Sequence, residues 1–210
     1  MNTCDVAIIG SGPYGLSLAA HLKARGVNFR IFGNPMEFWL QHMPKGMYLK
    51  SEGFASSLYD PGSTFTLKTF CKERGLPYAD LGTPVSLEIF SAYGLEFQKQ
   101  FVPELERQTV VSLKRASQEF ELALNSGETL WARRVVIAVG LTYFEYTPAK
   151  LASLPKEYVS HSSKHSTVDE FRGLSDEVNP SPPAGGAPAA EEMVFVSPPP
   201  APFPRIFPGL

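Results

Sequence analysis

Three glycines near the start of the chain stand in G-x-G-x-x-G spacing: Gly10, Gly12 and Gly15. The apolar residues 6 to 9 before them predict a β-strand, and the residues after Gly15 have the apolar spacing of a helix. In such a unit, the first glycine permits the turn, the second admits a pyrophosphate close to the backbone, and the third lets the helix pack on the strand. Amides at the start of the helix favour a negatively charged group. The pattern therefore predicts a cradle for the phosphates of a dinucleotide.

The residues between these glycines and the end of the next strand complete the predicted site. Ser11, Pro13 and Tyr14 are expected to contribute backbone or lining. The ribose of a dinucleotide usually meets a carboxylate at the end of the second strand, about 20 residues further on. Gly33 stands there instead, and Glu37 is the nearest acidic substitute. The alternative for Glu37 is a solvated loop charge, and the sequence leaves both open.

The composition is that of a chain with one substantial hydrophobic core, because 43% of its 210 residues are hydrophobic. A formal net charge of −2 indicates neither a nucleic-acid surface nor a membrane-seeking basic patch. No apolar run reaches the roughly 18 residues of a membrane span, and the N-terminus lacks the pattern of a secretion signal. We therefore expect a cytoplasmic location. Cys4 and Cys71 are interpreted as ordinary buried thiols.

Side chains with catalytic or metal-binding spacing are not found in the sequence. There is no G-x-S-x-G nucleophile turn and no paired carboxylates, and His42, Asp60, His161 and His165 lack the spacing of a metal site. The last two histidines are interpreted as surface or hinge residues. We predict no metal and assign no catalytic side chain.

The middle of the chain predicts a segment that covers the cradle, followed by two helices. Residues 34 to 49 are rich in methionine and aromatic residues and predict a loop with a short helix, in which Trp39 either covers a flat ligand or caps the core. Helices are predicted over residues 64 to 74, capped by Ser63, and over residues 87 to 101. The aromatic stripe of the second helix is interpreted as core.

Four strand patterns follow these helices. Residues 109–114, 119–124 and 129–132 predict a three-stranded meander. Residues 135–139 form a β-branched run, which predicts a separate strand buried on both faces of a central sheet. Gly140 ends that run and would bring the backbone beside a ligand.

Together these patterns resemble the FAD domain of two-dinucleotide-binding flavoproteins. The resemblance rests on the glycine motif, the meander and Ala138-Val139-Gly140, which stands where that group has an Ala-Thr-Gly-like motif in contact with the flavin nucleotide. Further stretches are similar to the flavin-containing monooxygenase-like branch, which includes the lysine and ornithine N-hydroxylases: Phe38-Trp39, LKS at 49–51, TFCKERGLPY at 69–78 and His161-Ser162. The resemblance implies an α/β fold, Rossmann-like and three-layered, that binds FAD or NAD(P) and includes a β-meander.

The resemblance covers residues 4 to 173, and we predict one FAD-binding domain over residues 1 to 173. Members of the group carry a second glycine motif for NADPH shortly afterwards, whereas residues 174 to 210 are rich in proline and alanine and lack a strand or helix period. We predict a disordered tail and expect the NADPH half to be missing, through out-of-register coding or a divergent terminus. The alternative is a natural proline-rich linker or partner-binding tail.

The resemblance implies an FAD-binding oxidoreductase that would use NADPH and dioxygen to hydroxylate a small amine or sulfur nucleophile. Without an NADPH half, we expect it to bind FAD and to be catalytically impaired. A second hypothesis is a non-catalytic nucleotide-binding or interaction module whose proline-rich tail recruits a partner. A third is that the cradle takes NAD(P) rather than FAD. We also expect self-association through an exposed apolar face where a second domain would dock.

Overall fold

The computed structural model describes residues 2–141, 144–155 and 159–172. Its strands are β1 (Asn2–Ile9), β2 (Phe29–Phe32), β3 (Val110–Ala116), β4 (Glu119–Leu124) and β5 (Thr129–Ile137). They form one sheet in the order β2-β1-β5-β4-β3. β1 pairs in parallel with β2 and β5, whereas β5, β4 and β3 pair antiparallel. The sheet is therefore part parallel, as a dinucleotide-binding unit requires, and part meander.

The described α-helices are α1 (Pro13–Ala24), α2 (Leu67–Arg74), α3 (Leu87–Phe101) and the short α4 (Ala149–Ala152). Single turns of other helix types span Phe38–His42 (π) and Gly53–Ala55, Ser162–Lys164 and Val168–Phe171 (3-10). The π turn is the short helix predicted between residues 34 and 49. α1 connects β1 to β2, so the glycine motif lies in the β-α-β unit that its spacing predicts.

Two hydrophobic clusters cover the two faces of the sheet. Helices and parallel strands enclose the first, whose buried members include Ile8, Leu16, Leu67, Phe70, Tyr93 and Phe97. The meander packs against β1 and β2 in the second, through Cys4, Ala7, Phe32, Leu122, Leu124, Leu130 and Ala132. The helices therefore pack on one face of the five-stranded sheet. The aromatic stripe of α3 is core, as predicted, and both cysteines are buried free thiols.

The prediction of a separate, fully buried strand after the meander is wrong. Residues 129–132 and 135–137 belong to one strand, β5, because β1 pairs with it continuously from Leu130 to Ile137. β4 pairs with β5 only as far as Ala132. Among the described residues, the second half of β5 therefore pairs with a strand on one side alone, and Ile137 is 65% exposed.

The predicted start of α2 is also wrong, because Thr66 rather than Ser63 caps it. The Thr66 side chain accepts a hydrogen bond from the Thr69 amide, and the helix begins at Leu67. Ser63 instead has a φ of 51° in the turn that precedes the helix. That turn is organised by Asp60, which is only 2% exposed. Its carboxylate accepts hydrogen bonds from the amides of Gly62, Thr64 and Phe65 at 2.9 to 3.2 Å.

The carboxylate of Asp60 is expected to stabilise the fold in a pH-dependent way. Burial raises its pKa, but the amides of Phe65, Thr64 and Gly62 outweigh burial, so the pKa lies below its usual value. A folded pKa below the unfolded value of about 3.9 gives stability that is present above that pH and is lost as pH falls through the folded pKa.

Asp60→Asn should therefore lower the free energy of unfolding by about 2 kcal/mol near neutral pH, because the amide NH₂ faces N–H donors. Urea unfolding measures the difference, which should shrink as the pH is lowered to about 3. Glu73→Gln, at an exposed position on α2, is the matched control and should change stability by less than about 0.5 kcal/mol. An Asp60→Asn difference that does not depend on pH would contradict this account.

Candidate functional site

The first glycine of the motif lies where β1 turns towards α1. Gly10 has a φ of 110°, a conformation that side chains disfavour. Its amide donates to the Phe32 carbonyl at 2.8 Å, which joins the turn to the end of β2. A Cβ at Gly10 would lie 2.2 Å from the carbonyl oxygen of Ala138, so the backbone that follows β5 packs directly on the turn. Only glycine fits this position.

The other two glycines of the motif differ in what surrounds them. A Cβ at Gly15 would lie 2.1 Å from the carbonyl oxygen of Gly10, so glycine here lets α1 approach the strand. A Cβ at Gly12 would meet nothing within 4 Å, and Gly12 is the N-cap of α1. Gly12 thus presents open backbone where the unpaired amides of the helix begin.

The motif opens onto a cleft of about 770 Å³ between the ends of β1, β2 and β5. Nine of the ten residues predicted from the sequence to bind a cofactor line it: Gly10, Ser11, Gly12, Pro13, Tyr14, Gly33, Glu37, Trp39 and Gly140. Gly15 lies outside the lining and acts through its contact with Gly10. The structure therefore brings the separated segments of the predicted site together at one edge of the sheet.

Position 33, at the end of β2, has a backbone conformation and surroundings that favour glycine over a residue with a carboxylate. Gly33 has a φ of 131°, and a Cβ there would lie 3.0 Å from the Ser11 hydroxyl oxygen. Ser11 is 3% exposed, and its hydroxyl has no hydrogen-bond partner among the described residues. Any side chain at position 33 would be strained and would press on Ser11. A side chain at the end of β2 is therefore disfavoured.

Glu37 supplies the one carboxylate of the described cleft lining. It is half-buried at the start of the π turn, and its Oε1 accepts a hydrogen bond from the Asn34 amide at 3.0 Å. Of the two alternatives for Glu37, the geometry favours a cleft residue over a solvated loop charge. A contact with ribose remains a prediction.

Aromatic side chains form a wall of the cleft that the sequence located only in part. The Trp39 ring meets the Phe90 ring edge-on with centroids 4.7 Å apart, which fixes it against α3. Phe38 and His42 also line the cleft, with their rings 6.2 Å apart. Trp39 is thus at once a core-capping and a cleft residue, which joins the two alternatives considered for it.

The backbone beneath this wall is strained at one buried residue. Met36 is fully buried and has a φ of 57°, which non-glycine residues rarely adopt. Its amide donates to the Ser11 carbonyl at 3.1 Å. A Cβ at Gly94 would lie 2.5 Å from the Met36 sulfur, so α3 supports this loop closely. The loop that carries Glu37 and Trp39 is therefore fastened both to the glycine turn and to the core.

Sequence reasoning missed the segment that closes the far edge of the cleft, Gln108, Thr109 and Val110. An ion-pair group fastens it: Arg30 donates to both carboxylate oxygens of Glu106 at 2.6 Å and pairs with Glu128. These hydrogen bonds raise the pKa of Arg30 above its usual value. The Glu106 carbonyl accepts a hydrogen bond from the Gly33 amide at 3.1 Å. Pairing across 76 residues leaves no local signal that the sequence could have shown.

The remaining candidates lie away from the cleft. Among the described residues, no group of three or more His, Cys, Asp or Glu side chains is placed to hold a metal ion. His161 contacts the Ser163 hydroxyl at 2.9 Å, and His165 contacts Glu170 at 2.7 Å. Residues 173 to 210, which include the predicted tail, lie outside the described residues.

Comparison with known proteins identifies the family of a chain with this geometry. The family model for pyridine nucleotide-disulphide oxidoreductases matches residues 4–194. The chain belongs to this family. Members of the pyridine nucleotide-disulphide oxidoreductase family bind FAD or NAD(P), so the Rossmann-like FAD/NAD(P)-binding fold predicted from the sequence is confirmed. The matched range continues past residue 173, where the predicted domain ends.

Solved structures of two enzyme types are similar to this family member. A flavin-containing monooxygenase from Stenotrophomonas maltophilia is 25% identical, with a TM-score of 0.64, over 82% of this chain and 49% of that chain. The bacillithiol disulfide reductase Bdr from Staphylococcus aureus is 22% identical, with a TM-score of 0.56, over 74% of this chain and 44% of that chain. The second likeness shows the fold alone.

The chain spans less than half the length of these structural relatives. No curated protein matches its sequence. Within the described residues, no helix combines the length and apolar character needed to cross a membrane.

Proposed function

We propose that this chain is the FAD-binding domain of a flavin-dependent oxidoreductase of the monooxygenase type. The observation that carries the proposal is the open backbone of Gly12 at the start of α1, facing a cleft lined by the ends of three strands. The likeness to a flavin-containing monooxygenase over most of this chain supports the monooxygenase type. We also propose that the chain belongs to the lysine and ornithine N-hydroxylase-like branch, and this part of the proposal rests on the sequence resemblance.

The residues of the cleft fit an FAD molecule. A pyrophosphate would lie at Gly12, where the amides that begin α1 offer hydrogen bonds and a positive partial charge. Glu37 would accept from the ribose, and Gly140, whose φ of 68° suits glycine, would leave backbone open beside the nucleotide. The isoalloxazine ring would supply the redox chemistry, and this chain's residues bind and orient it.

The substrate class follows from the monooxygenase type. A small amine or sulfur nucleophile is the proposed substrate, and NADPH is the proposed electron donor. Apolar residues at the cleft mouth are strongly exposed: Tyr14 at 88%, Leu141 at 72%, Phe144 at 66% and Ile137 at 65%. We propose that this face also supports self-association. A monomer at every concentration tested by sedimentation velocity would contradict that part of the proposal.

A second candidate is a non-catalytic nucleotide-binding module, which the open cradle at Gly12 supports equally well. Such a module would keep the cradle without redox chemistry. It differs from the first candidate in what happens to bound flavin when a reductant is added.

The experiment that separates the candidates is a visible spectrum of the purified chain, recorded with added FAD and then with NADPH under air. Flavin bands that stay with the protein through gel filtration support the FAD-binding domain. Bleaching by NADPH supports a complete electron path in this chain, whereas retained bands without bleaching support an FAD-binding chain that lacks its donor site. Absence of flavin bands after reconstitution would contradict the proposal and favour the module.

A further inference from the structure

A serine, a histidine and a glutamate are hydrogen-bonded to one another around the last two 3-10 turns of the described chain. The Oγ of Ser160 lies 2.5 Å from Nε2 of His165. Nδ1 of the same imidazole lies 2.7 Å from Oε2 of Glu170. The histidine thus bridges a hydroxyl and a carboxylate through its two ring nitrogens. A serine nucleophile, its base and the carboxylate that orients the base have this connectivity.

Local backbone structure holds the three side chains together. The His165 amide donates to the Ser162 carbonyl at 3.3 Å, which closes the first of the two turns. The Ser166 carbonyl, between the turns, accepts a hydrogen bond from the Lys45 amide at 2.9 Å. Glu170 lies in the second turn. The arrangement is therefore fastened at its centre to a distant part of the chain.

The contacts of the imidazole determine which of its nitrogens can act as a base. The His165 side chain is 19% exposed, and its ring packs on that of Phe171 with centroids 4.6 Å apart. An ionised carboxylate only accepts hydrogen bonds, so Nδ1–H donates to Glu170. In the neutral ring Nε2 then carries a lone pair, and the Ser160 hydroxyl donates to it. The hydroxyl proton of Ser160 is therefore directed at a base.

We propose that Ser160 is an activated nucleophile that cleaves small activated esters, with His165 as its base and Glu170 as the residue that positions the base. Oγ attacks the acyl carbonyl carbon while its proton passes to Nε2. The bond from that carbon to the leaving oxygen breaks, and the leaving group takes the proton. Water then attacks the acyl-serine with the same base, which releases the acid and returns the proton to Oγ. The steps need neither an oxidant nor FAD, so this activity is independent of the proposed function.

The surroundings of Ser160 define the class of ester. Ser160 is exposed, so a substrate can reach its Oγ, and the described lining of the nucleotide cleft does not include it. Lys164, the nearest lysine in sequence, pairs with Glu145 at 2.8 Å and is not free to bind a negatively charged acyl group. An open site supplies little binding energy, so the ester must have a good leaving group. Small uncharged aryl esters meet these conditions.

The test incubates the full chain with p-nitrophenyl acetate and follows both nitrophenolate release and the acetylated residue, by mass spectrometry of peptides. The acetyl group should appear on Ser160, and His165→Gln should slow its appearance by about 100-fold or more, because the base is lost. Ser160→Ala should abolish the acetylated peptide. Ser162→Ala, which removes an exposed hydroxyl from the adjacent turn, is the matched control and should leave the rate unchanged.

Glu170→Gln distinguishes a positioning role from a structural one. Its amide NH₂ can donate to Nδ1, which favours the tautomer with the proton on Nε2, and that nitrogen then cannot take the Ser160 proton. Acetylation of Ser160 should therefore fall by about 100-fold or more while the midpoint of urea unfolding stays the same. Glu170→Asp, which keeps the carboxylate, should restore part of the rate. Acetylation of Ser162 or Lys164 as fast as that of Ser160, or a rate that Glu170→Gln does not change, would overturn the proposal.

Discussion

Gly12→Ala is expected to weaken FAD binding by roughly 100-fold, equivalent to about 2.8 kcal/mol, while the chain stays folded. The added methyl meets no atom within 4 Å, and the φ of −75° and ψ of −173° at Gly12 are open to alanine. The methyl would occupy the space that a pyrophosphate needs to approach the backbone. Fluorescence titration of FAD measures the loss.

The stability of the same variant provides the control. Alanine is a poorer helix N-cap than glycine, so the free energy of unfolding should fall by no more than about 1 kcal/mol. Gln118→Ala, at an exposed turn away from the cleft, should change neither binding nor stability. A Gly12→Ala chain that binds FAD as tightly as the parent would show that the cradle is not the pyrophosphate site.

Gly15→Ala should have the opposite effect and destabilise the fold itself by about 3 kcal/mol or more. Its added methyl would lie 2.1 Å from the Gly10 carbonyl oxygen, and backbone cannot move aside as a flexible side chain can. α1 must then shift away from β1. Urea unfolding measures the loss, and FAD affinity should fall only because the folded population and the turn are disturbed. A Gly15→Ala chain as stable as the parent would contradict the packing described here.

These two variants separate binding from folding within one six-residue motif. The sequence predicts a role for each glycine, but only the surroundings show which role is exposed to a ligand. Gly12 faces open space, whereas Gly10 and Gly15 face backbone carbonyl groups. Gly12→Ala therefore tests FAD binding, whereas Gly15→Ala tests the stability of the fold.

Elements set by local patterns were predictable, and elements set by distant partners were not. The strand-turn-helix unit and α3 follow from periodicity and caps over a few residues. β5 was divided wrongly because its continuity comes from pairing with β1, more than 120 residues earlier in the chain. The cap of α2 was misplaced because the buried Asp60 determines the turn before it.

The candidate site follows the same rule. Glycine spacing identified the cradle, and its lining residues from Ser11 to Tyr14 lie where the motif places them. The edge formed by Gln108 depends on Arg30 pairing with Glu106, for which two isolated charges in a sequence give no sign. Gly33 stands where the motif usually has a carboxylate, and its φ of 131° together with the nearby Ser11 hydroxyl disfavours any side chain there.

The measurement that tests the account most directly is the amount of FAD that the purified, reconstituted chain retains after gel filtration, compared with its Gly12→Ala variant. The account predicts about one FAD per parent chain, from the single cradle motif that the sequence contains, and little or none retained by the folded variant. Equal retention by both chains, or no retention by a folded parent chain, would contradict the claim that this cleft holds the flavin nucleotide.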